Sequence, residues 1–392
     1  MLRQAMFLVG GRGTRLGSLS ARTPKPLLPV AGRPFLDYLI TEALRHGFRQ
    51  ILLLTGYLAN QVQAYAKRWR DQGVDIRCVV EPEPAGTGGA LHMASPFLDE
   101  KFLLINGDSL FAINFLDLLT IAPSDPWLVK IALRSLGDAG RYGRVDLDGE
   151  RVEAFDEKGR AGPGTINGGV YLLNRGILDQ LPTAPCSIER DVFPVLAARG
   201  LVSGRVYDAP FIDIGIPQDY RRAQTFVPTL LNRPALFLDM DEVVEEQQKE
   251  SGPPDLILRS DAREIIKAVN DHGSLVILLM GRRARHLGPE GTFTPDASLR
   301  ALNEGLQVFG AHIDAAYEWA DEMETEPVVS GGGTIALAMM QWNVNPEGSL
   351  LASTNPTALK AAERAGLPGI AVLEGKLAQC LEESPYWKRR DI

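Results

Sequence analysis

Short, continuously apolar runs recur along the first half of the chain, separated by longer stretches in which apolar residues return every three or four positions. Ala5 to Val9, Gln50 to Thr55 and Ile76 to Val80 read as buried strands, and Pro34 to His46 and Ala59 to Gln72 as the helices between them. Phe102 to Ile105, Leu128 to Leu133 and Gly169 to Leu173 continue the strands. Such alternation predicts a layered α/β fold on a parallel sheet. The rhythm breaks at Phe226 to Pro234, which holds Pro228 and Pro234, and starts afresh with the strand Ala235 to Leu238. It continues as a helix at Ala262 to His272, a buried strand at Ser274 to Met280, a helix at Pro295 to Phe309 and a strand at Leu350 to Ser353. A last helix, Ala358 to Ala365, is closed by Gly366, the residue type favoured just past a helix end. Two domains are expected, residues 1–230 and 231–392, and a chain of 392 residues suits two cores better than one.

Composition narrows the class. Hydrophobic residues at 45% and charged residues at 23% exclude collagen-like and wholly disordered chains. A net charge of −8, from 41 Lys+Arg against 49 Asp+Glu, excludes a protein-wide basic footprint for nucleic acid. That charge is uneven: residues 231–392 carry 15 basic and 25 acidic side chains, net −10, leaving 26 against 24, net +2, for residues 1–230. Cys78, Cys186 and Cys380 lie far apart, which signals neither a disulfide framework nor a cysteine-rich zinc site and fits a reducing cytoplasm. The apolar start, Ala5 to Val9, is too short for a signal peptide, and no run approaches about 18 apolar residues. A cytoplasmic chain without membrane insertion is expected.

Chemistry gathers at the end of the first strand. Gly10, Gly11 and Gly13, with Arg12, Thr14 and Arg15, form a glycine-rich turn where α/β sheets place ligands. Glycines let the backbone approach a phosphate, and successive amides can form an anion nest. Ten residues beyond Arg15, Lys25 is fixed between Pro24 and Pro26, so two cations on restrained backbone face the same loop. That suits a polyphosphate. The spacing is not a Walker loop, because no Gly-Lys-Ser/Thr follows, and not the dinucleotide fingerprint, because Leu16 stands where the last glycine belongs.

From Gly10 to Val30 the chain resembles the sugar-1-phosphate nucleotidylyltransferases, whose signature GGxGTRLxxLTxxxPKPLLPV it meets with Ser20 in place of the usual threonine. The resemblance runs from about residue 3 to 224 and implies a Rossmann-like domain on a mixed, mainly parallel sheet. It also implies roles for matching residues. Glu81, Gly86 and Thr87 fall in the loop Glu81 to Ala90, which lies against base and sugar, with Ala85 where leucine is common. Asp108, in Asn106-Gly107-Asp108, and Asp213, in Phe211 to Pro217, match the two metal-binding aspartates. Two carboxylates beside a triphosphate suit Mg²⁺, which keeps few protein ligands. Lys158, beside Glu157, matches the lysine that contacts the sugar phosphate. Asn167 and Gly168 match the sugar-binding turn, and Glu189 is a further candidate for hydroxyls.

The chemistry these groups permit is in-line attack of a sugar-1-phosphate oxygen on the α-phosphorus of an NTP, expelling pyrophosphate. The acceptor oxygen is already anionic, so positioning and charge neutralisation matter more than a base. Gly10 to Thr14, Glu81, Gly86 and Thr87 would hold the nucleotide, Arg15 and Lys25 the leaving pyrophosphate, and Lys158 the acceptor. Val30 to Leu36 and Thr55-Gly56-Tyr57 are most similar to the D-glycero-D-manno-heptose 1-phosphate guanylyltransferases of this family. GTP and that heptose phosphate are therefore expected, with mannose or glucose 1-phosphate as alternatives and a homo-oligomer left open. A non-catalytic nucleotide-sugar sensor or scaffold is the contrasting class.

In the second part, Phe237-Leu238-Asp239-Met240-Asp241-Glu242 ends an apolar strand with carboxylates two apart. Such a pair can supply a nucleophile and an acid/base partner. The segment resembles the opening motif of haloacid-dehalogenase-like (HAD) phosphatases of the heptose-bisphosphate and histidinol-phosphate type, which implies a second Rossmann-like domain over about Pro234 to Gly375. The departures outweigh the match. Glu242 replaces a glycine, Met280-Gly281 offers no phosphate-binding hydroxyl, Glu326 precedes Pro327 where lysine belongs, and Ala352 to Thr357 lacks the closing metal-binding acids. A catalytically degenerate domain is expected, kept for structure, oligomerisation or regulation, with an active phosphatase as the alternative.

Overall fold

The structure is a computed structural model that describes residues 2–121, 126–156, 162–247, 255–281, 295–318, 331–373 and 375–383. It divides into two compact units, Met1–Thr229 and Leu230–Ile392.

The first unit is built on a nine-stranded sheet. Its strands are β1 (Gln4–Leu8), β2 (Gln50–Thr55), β3 (Asp75–Val80), β4 (Lys101–Asn106), β6 (Val129–Leu136), β7 (Arg144–Asp148), β8 (Arg151–Asp156), β9 (Gly164–Asn174) and β10 (Val202–Val206), in the order β3-β2-β1-β4-β9-β6-β10-β8-β7. The strands β5 (Ser109–Phe111) and β11 (Phe211–Asp213) form a separate antiparallel ribbon. Only β9 and β8 run against the other strands of the sheet, so it is mixed with one prevailing direction. Continuous apolar runs suit this position, because helices cover a parallel sheet and bury its strands on both faces. Met6, Phe7, Leu53, Phe102, Leu104 and Tyr171 are all essentially excluded from solvent.

Helix α1 (Phe35–Arg45) is buried on most of its surface and tolerates Glu42 and Arg45 inside because the two pair at 3.2 Å. Helix α2 (Ala59–Arg70) buries only Val62, Tyr65 and Ala66, with the Tyr65 hydroxyl donating to Asp37 at 2.6 Å. Helix α3 (Gly86–Ala94) follows β3, and helix α4 (Phe193–Ala198) precedes β10.

Two features depart from the sequence reading. The hairpin β7–β8 has a two-residue turn, Gly149-Glu150, with Gly149 at φ 59°. Val145 and Leu147 alternating on one side and Asp148-Gly149 at the turn carried that signal, since such turns need a positive φ. The proline-bearing stretch after Phe226 is not irregular either: it ends helix α5 (Pro217–Leu230), with Pro228 inside the last turn. There proline forfeits one backbone hydrogen bond at an end where the helix is about to stop.

The second unit carries a five-stranded parallel sheet in the order β14-β13-β12-β15-β16, from β12 (Ala235–Asp239), β13 (Leu275–Met280), β14 (Ala315–Glu318), β15 (Leu350–Ser353) and β16 (Gly369–Ala371). Chain order reverses at β12, the switch point where doubly wound sheets leave a crevice at their strand ends. Apolar clusters lie on both sheet faces, one including Leu236, Leu238 and Ile266, the other Phe237, Ile277 and Leu351. The short strands β14 and β16 escape the sequence reading because four and three residues show no periodicity. Among the described residues no helix is long and apolar enough to cross a membrane.

Candidate active site

The carboxyl ends of β1, β2 and β4 open onto a cleft of about 660 Å³ lined by Gly10, Gly11, Arg12, Glu81, Gly86, Thr87, Asn106, Asp108 and Glu189, among others. The backbone turns at its floor have identifiable causes. A Cβ on Gly10 would lie 3.0 Å from Glu81 Oε1 and 3.1 Å from the Gly56 amide, so this glycine lets two strand ends touch. Gly11 has open space where a side chain would be, so its backbone faces the cleft bare. Gly13 adopts φ 62°, and its carbonyl accepts from the Leu16 amide at 2.9 Å and the Ser20 hydroxyl at 2.8 Å. Ser20, which stands in place of the usual threonine, thus ties down the glycine loop.

Beside this cleft, Gly11, Gly13, Thr14, Arg15, Lys25, Pro26, Asp108 and Gly215 line a recess of about 200 Å³. Arg15 is exposed at its edge. Lys25 is buried, and its ammonium donates to Asp108 Oδ2 and, at 3.5 Å, to Asp213 Oδ1. The ribbon β5–β11 brings those carboxylates together: Ser109 pairs with Asp213, and the Ile214 amide donates to the Asp108 carbonyl at 2.9 Å. Gly107 is required at the approach, because a Cβ there would lie 2.6 Å from the Leu8 carbonyl oxygen. Burial, then the nearby Asp108 charge, push the Asp213 carboxyl above its ordinary range, while Lys25 and the Gly215 amide at 2.7 Å oppose them. The sequence reading put Lys25 on a pyrophosphate. Here its ammonium bridges the two carboxylates.

Glu81 is half-buried; burial raises its pKa, and Oε2 accepts from the Ala85 amide at 3.1 Å. Gly86 starts α3 at φ 74°, where a Cβ would collide with the Cys186 carbonyl, and the Gly88 amide donates to that carbonyl at 2.9 Å. The glycine-rich loop is therefore stitched to the Cys186 segment. Thr87 completes the seam: its hydroxyl donates to Glu189 Oε2 at 2.8 Å and accepts from the Ile188 amide at 2.9 Å. Ser187 also donates to Glu189 Oε2, at 2.9 Å, so the Glu189 carboxylate is held by two hydroxyls.

Glu189 and Asn106 also line a second cleft of about 380 Å³, with Tyr142, Arg144, Phe155, Asn167, Tyr171 and Arg190. Asn167 donates from Nδ2 to the Tyr171 hydroxyl at 2.9 Å and accepts at Oδ1 from the Gly169 amide at 2.9 Å. Gly168 serves packing, since a Cβ there would lie 2.6 Å from the Phe111 ring. Arg144, Tyr142 and Arg190 escape the sequence reading: Arg144 opens β7, whose hairpin it misses, Tyr142 lies in the bend before that strand, and Arg190 lies in the helical turn Ile188–Val192. Glu157 and Lys158 lie outside the described residues.

This constellation is a glycine loop, a buried lysine and two aspartates at a recess that adjoins the larger cleft. The family profile described as nucleotidyl transferase matches residues 4–229. The chain belongs to the nucleotidyl transferase family. Among curated relatives of this nucleotidyl transferase, the D-glycero-alpha-D-manno-heptose 1-phosphate guanylyltransferase of Aneurinibacillus thermoaerophilus is 38% identical over 223 residues, 56% of this chain and 96% of that protein. The mannose-1-phosphate guanylyltransferase of Mycobacterium tuberculosis is 36% identical over 224 residues, 56% of this chain and 62% of that one. Among solved structures, HddC from Yersinia pseudotuberculosis, complexed with GMP-PN, matches with a TM-score of 0.50 at 34% identity, covering 57% of this chain and 98% of that one.

In the second unit, Asp239 ends the central strand β12 and is buried, whereas Asp241 is exposed. Burial, then the Asp241 charge, raise the Asp239 pKa to about 6. Glu242 is buried and accepts from the Thr354 amide at 2.8 Å, so its side chain holds the residue just past β15. A hydroxyl from another strand reaches Asp239: Ser353 Oγ lies 3.3 Å from Asp239 Oδ2 and accepts from the Asn355 amide at 2.9 Å. It comes from β15 and not from the end of β13, a neighbourhood that only the sheet order creates. Glu326 and Pro327 lie outside the described residues.

Proposed function

We propose that the first unit transfers a nucleoside monophosphate from an NTP, GTP by preference, to a sugar 1-phosphate, D-glycero-D-manno-heptose 1-phosphate by preference, releasing pyrophosphate. The observation that carries this reading is the convergence of Lys25, Asp108 and Asp213 beside the bare Gly11 backbone, at a recess that shares Gly11 and Asp108 with the larger cleft, which in turn shares Asn106 and Glu189 with the second cleft. The larger cleft suits the nucleotide, with Glu81, Gly86 and Thr87 on its wall. The smaller suits the sugar, with Asn167 and Glu189 offering acceptors and donors to hydroxyls. The names of the two guanylyltransferase relatives favour guanine, and the first favours the heptose.

The donor set fits a hard divalent cation. Asp108 and Asp213 present oxygens to one point already occupied by a positive group, and among the described residues no third His, Cys, Asp or Glu completes an all-protein cage. Mg²⁺ held there would supply charge neutralisation on the phosphates. The chain's own residues supply the rest. The glycine-loop amides and Arg15 receive phosphate oxygens, and the Lys25 ammonium takes up charge as the pyrophosphate leaves. The acceptor needs no base. Glu189, locked by Thr87 and Ser187, keeps the sugar oriented for in-line attack.

A matrix of four NTPs against several sugar 1-phosphates, read by pyrophosphate release, tests the reaction. GTP with the heptose phosphate should be fastest, and release requiring no sugar phosphate would exclude the assignment. We further read the second unit as a degenerate HAD-like domain, a reading supported by the reversal of its parallel sheet at β12 and by the Glu242–Thr354 bond. The full chain should liberate no inorganic phosphate from heptose bisphosphate or histidinol phosphate. Release abolished by Asp239→Asn would overturn that reading.

A further inference from the structure

We propose that Lys25 is a resident cation of the Asp108–Asp213 pair, which a divalent metal must displace and an incoming nucleotide phosphate re-houses, so that metal and nucleotide bind cooperatively through this one side chain. The inference rests on the proposed metal position of the preceding section. The Lys25 ammonium contacts both carboxylates with only 8% of its side chain exposed, and Asp213 is exposed by 12%. Fixed between Pro24 and Pro26, Lys25 cannot retreat by a backbone shift at low cost, but its four-carbon stem can swing. Space for the swing exists in the recess lined by Lys25, Gly11, Gly13, Thr14 and Arg15, where the phosphates would sit. Gly215 keeps the crossing point open, since a Cβ there would lie 2.8 Å from Asp213 Oδ1 and 3.0 Å from Lys25 Nζ.

Ammonium and metal therefore compete for the same oxygens. Without nucleotide, a metal that enters leaves a buried lysine with no anion, which is costly. With nucleotide, a phosphate receives the displaced lysine and the cost disappears. Linkage requires the converse, that metal strengthens nucleotide binding by the same factor.

The test is titration of the full chain with Mn²⁺ alone, free Mn²⁺ being read by electron paramagnetic resonance. Wild type should bind weakly, and Lys25→Met at least about tenfold tighter, a change of about 1.4 kcal/mol. Asp108→Asn should abolish binding in both backgrounds. A guanosine triphosphate analogue should tighten Mn²⁺ binding strongly in wild type and much less in Lys25→Met. Equal or weaker Mn²⁺ binding by Lys25→Met overturns the inference. Should that variant fail to fold in chelator, folding restored by Mn²⁺ supports the inference and folding not restored overturns it. The titration needs no turnover: a tightened Lys25→Met beside a wild type that releases no pyrophosphate would sink the proposed reaction and leave this inference standing.

Discussion

At the scale of single residues, charge placement decides more than charge content. Lys25, Asp108 and Asp213 are far apart in sequence, and each is meaningful only because the others neutralise it. Lys25→Ala and Asp108→Ala should each lower pyrophosphate release about a hundredfold or more, the usual loss when one electrostatic contact to a transition state is removed. Retained far-ultraviolet circular dichroism would show that the loss is not unfolding, and near-normal turnover would contradict the assigned roles. Asp239 poses the opposite case, a buried carboxyl whose main neighbour is another acid. Its folded pKa of about 6 lies above the ordinary 3.8, so the folded state binds the proton more tightly. Stability from this group is complete below about pH 4 and is lost as pH rises through 6, amounting to on the order of 2–3 kcal/mol by pH 8. In chelator, Asp239→Asn should raise the melting temperature of the second unit at pH 8 by several degrees and converge on wild type toward pH 4. An unchanged melting point at pH 8 would show that the buried charge is relieved in another way.

At the scale of elements, glycines at strand and helix ends set where backbone can approach backbone. Gly86 combines a positive φ with a Cβ position already filled by the Cys186 carbonyl, so Gly86→Ala meets strain and collision together. We expect a loss of at least about 2 kcal/mol in the denaturant-induced unfolding of the first unit. Gly11→Ala meets open space and should leave stability within about 0.5 kcal/mol, so any loss of turnover there reports on phosphate approach alone. The longer strands and helices were legible because continuous or periodic apolar runs permit little else. The hairpin β7–β8 and the strands β14 and β16 were not. Short segments take their strand character from the partner they pair with, and Arg144 was hidden with its hairpin.

At the scale of the whole molecule, each unit has its own apolar clusters, one around Met6, Leu104 and Tyr171, the others around Leu236 and Phe237. Asp239→Asn should accordingly leave pyrophosphate release by the full chain unchanged, and a change in that rate would reveal coupling between the units. By itself the amino-acid sequence determined the α/β rhythm, the division near residue 230, and a glycine-rich segment from Gly10 to Lys25 that carries cations on restrained backbone. Those are local properties, written in periodicity and in residue types that fix backbone geometry. Only the tertiary structure decided that Lys25 rests on Asp108 and Asp213, that Thr87 and Ser187 hold Glu189, and that Ser353 lies beside Asp239. Apart from that of Ser187 with Glu189, each such contact joins residues distant in the chain, and sheet order, which brings distant segments within hydrogen-bond reach, is set by packing and not by spacing along the chain.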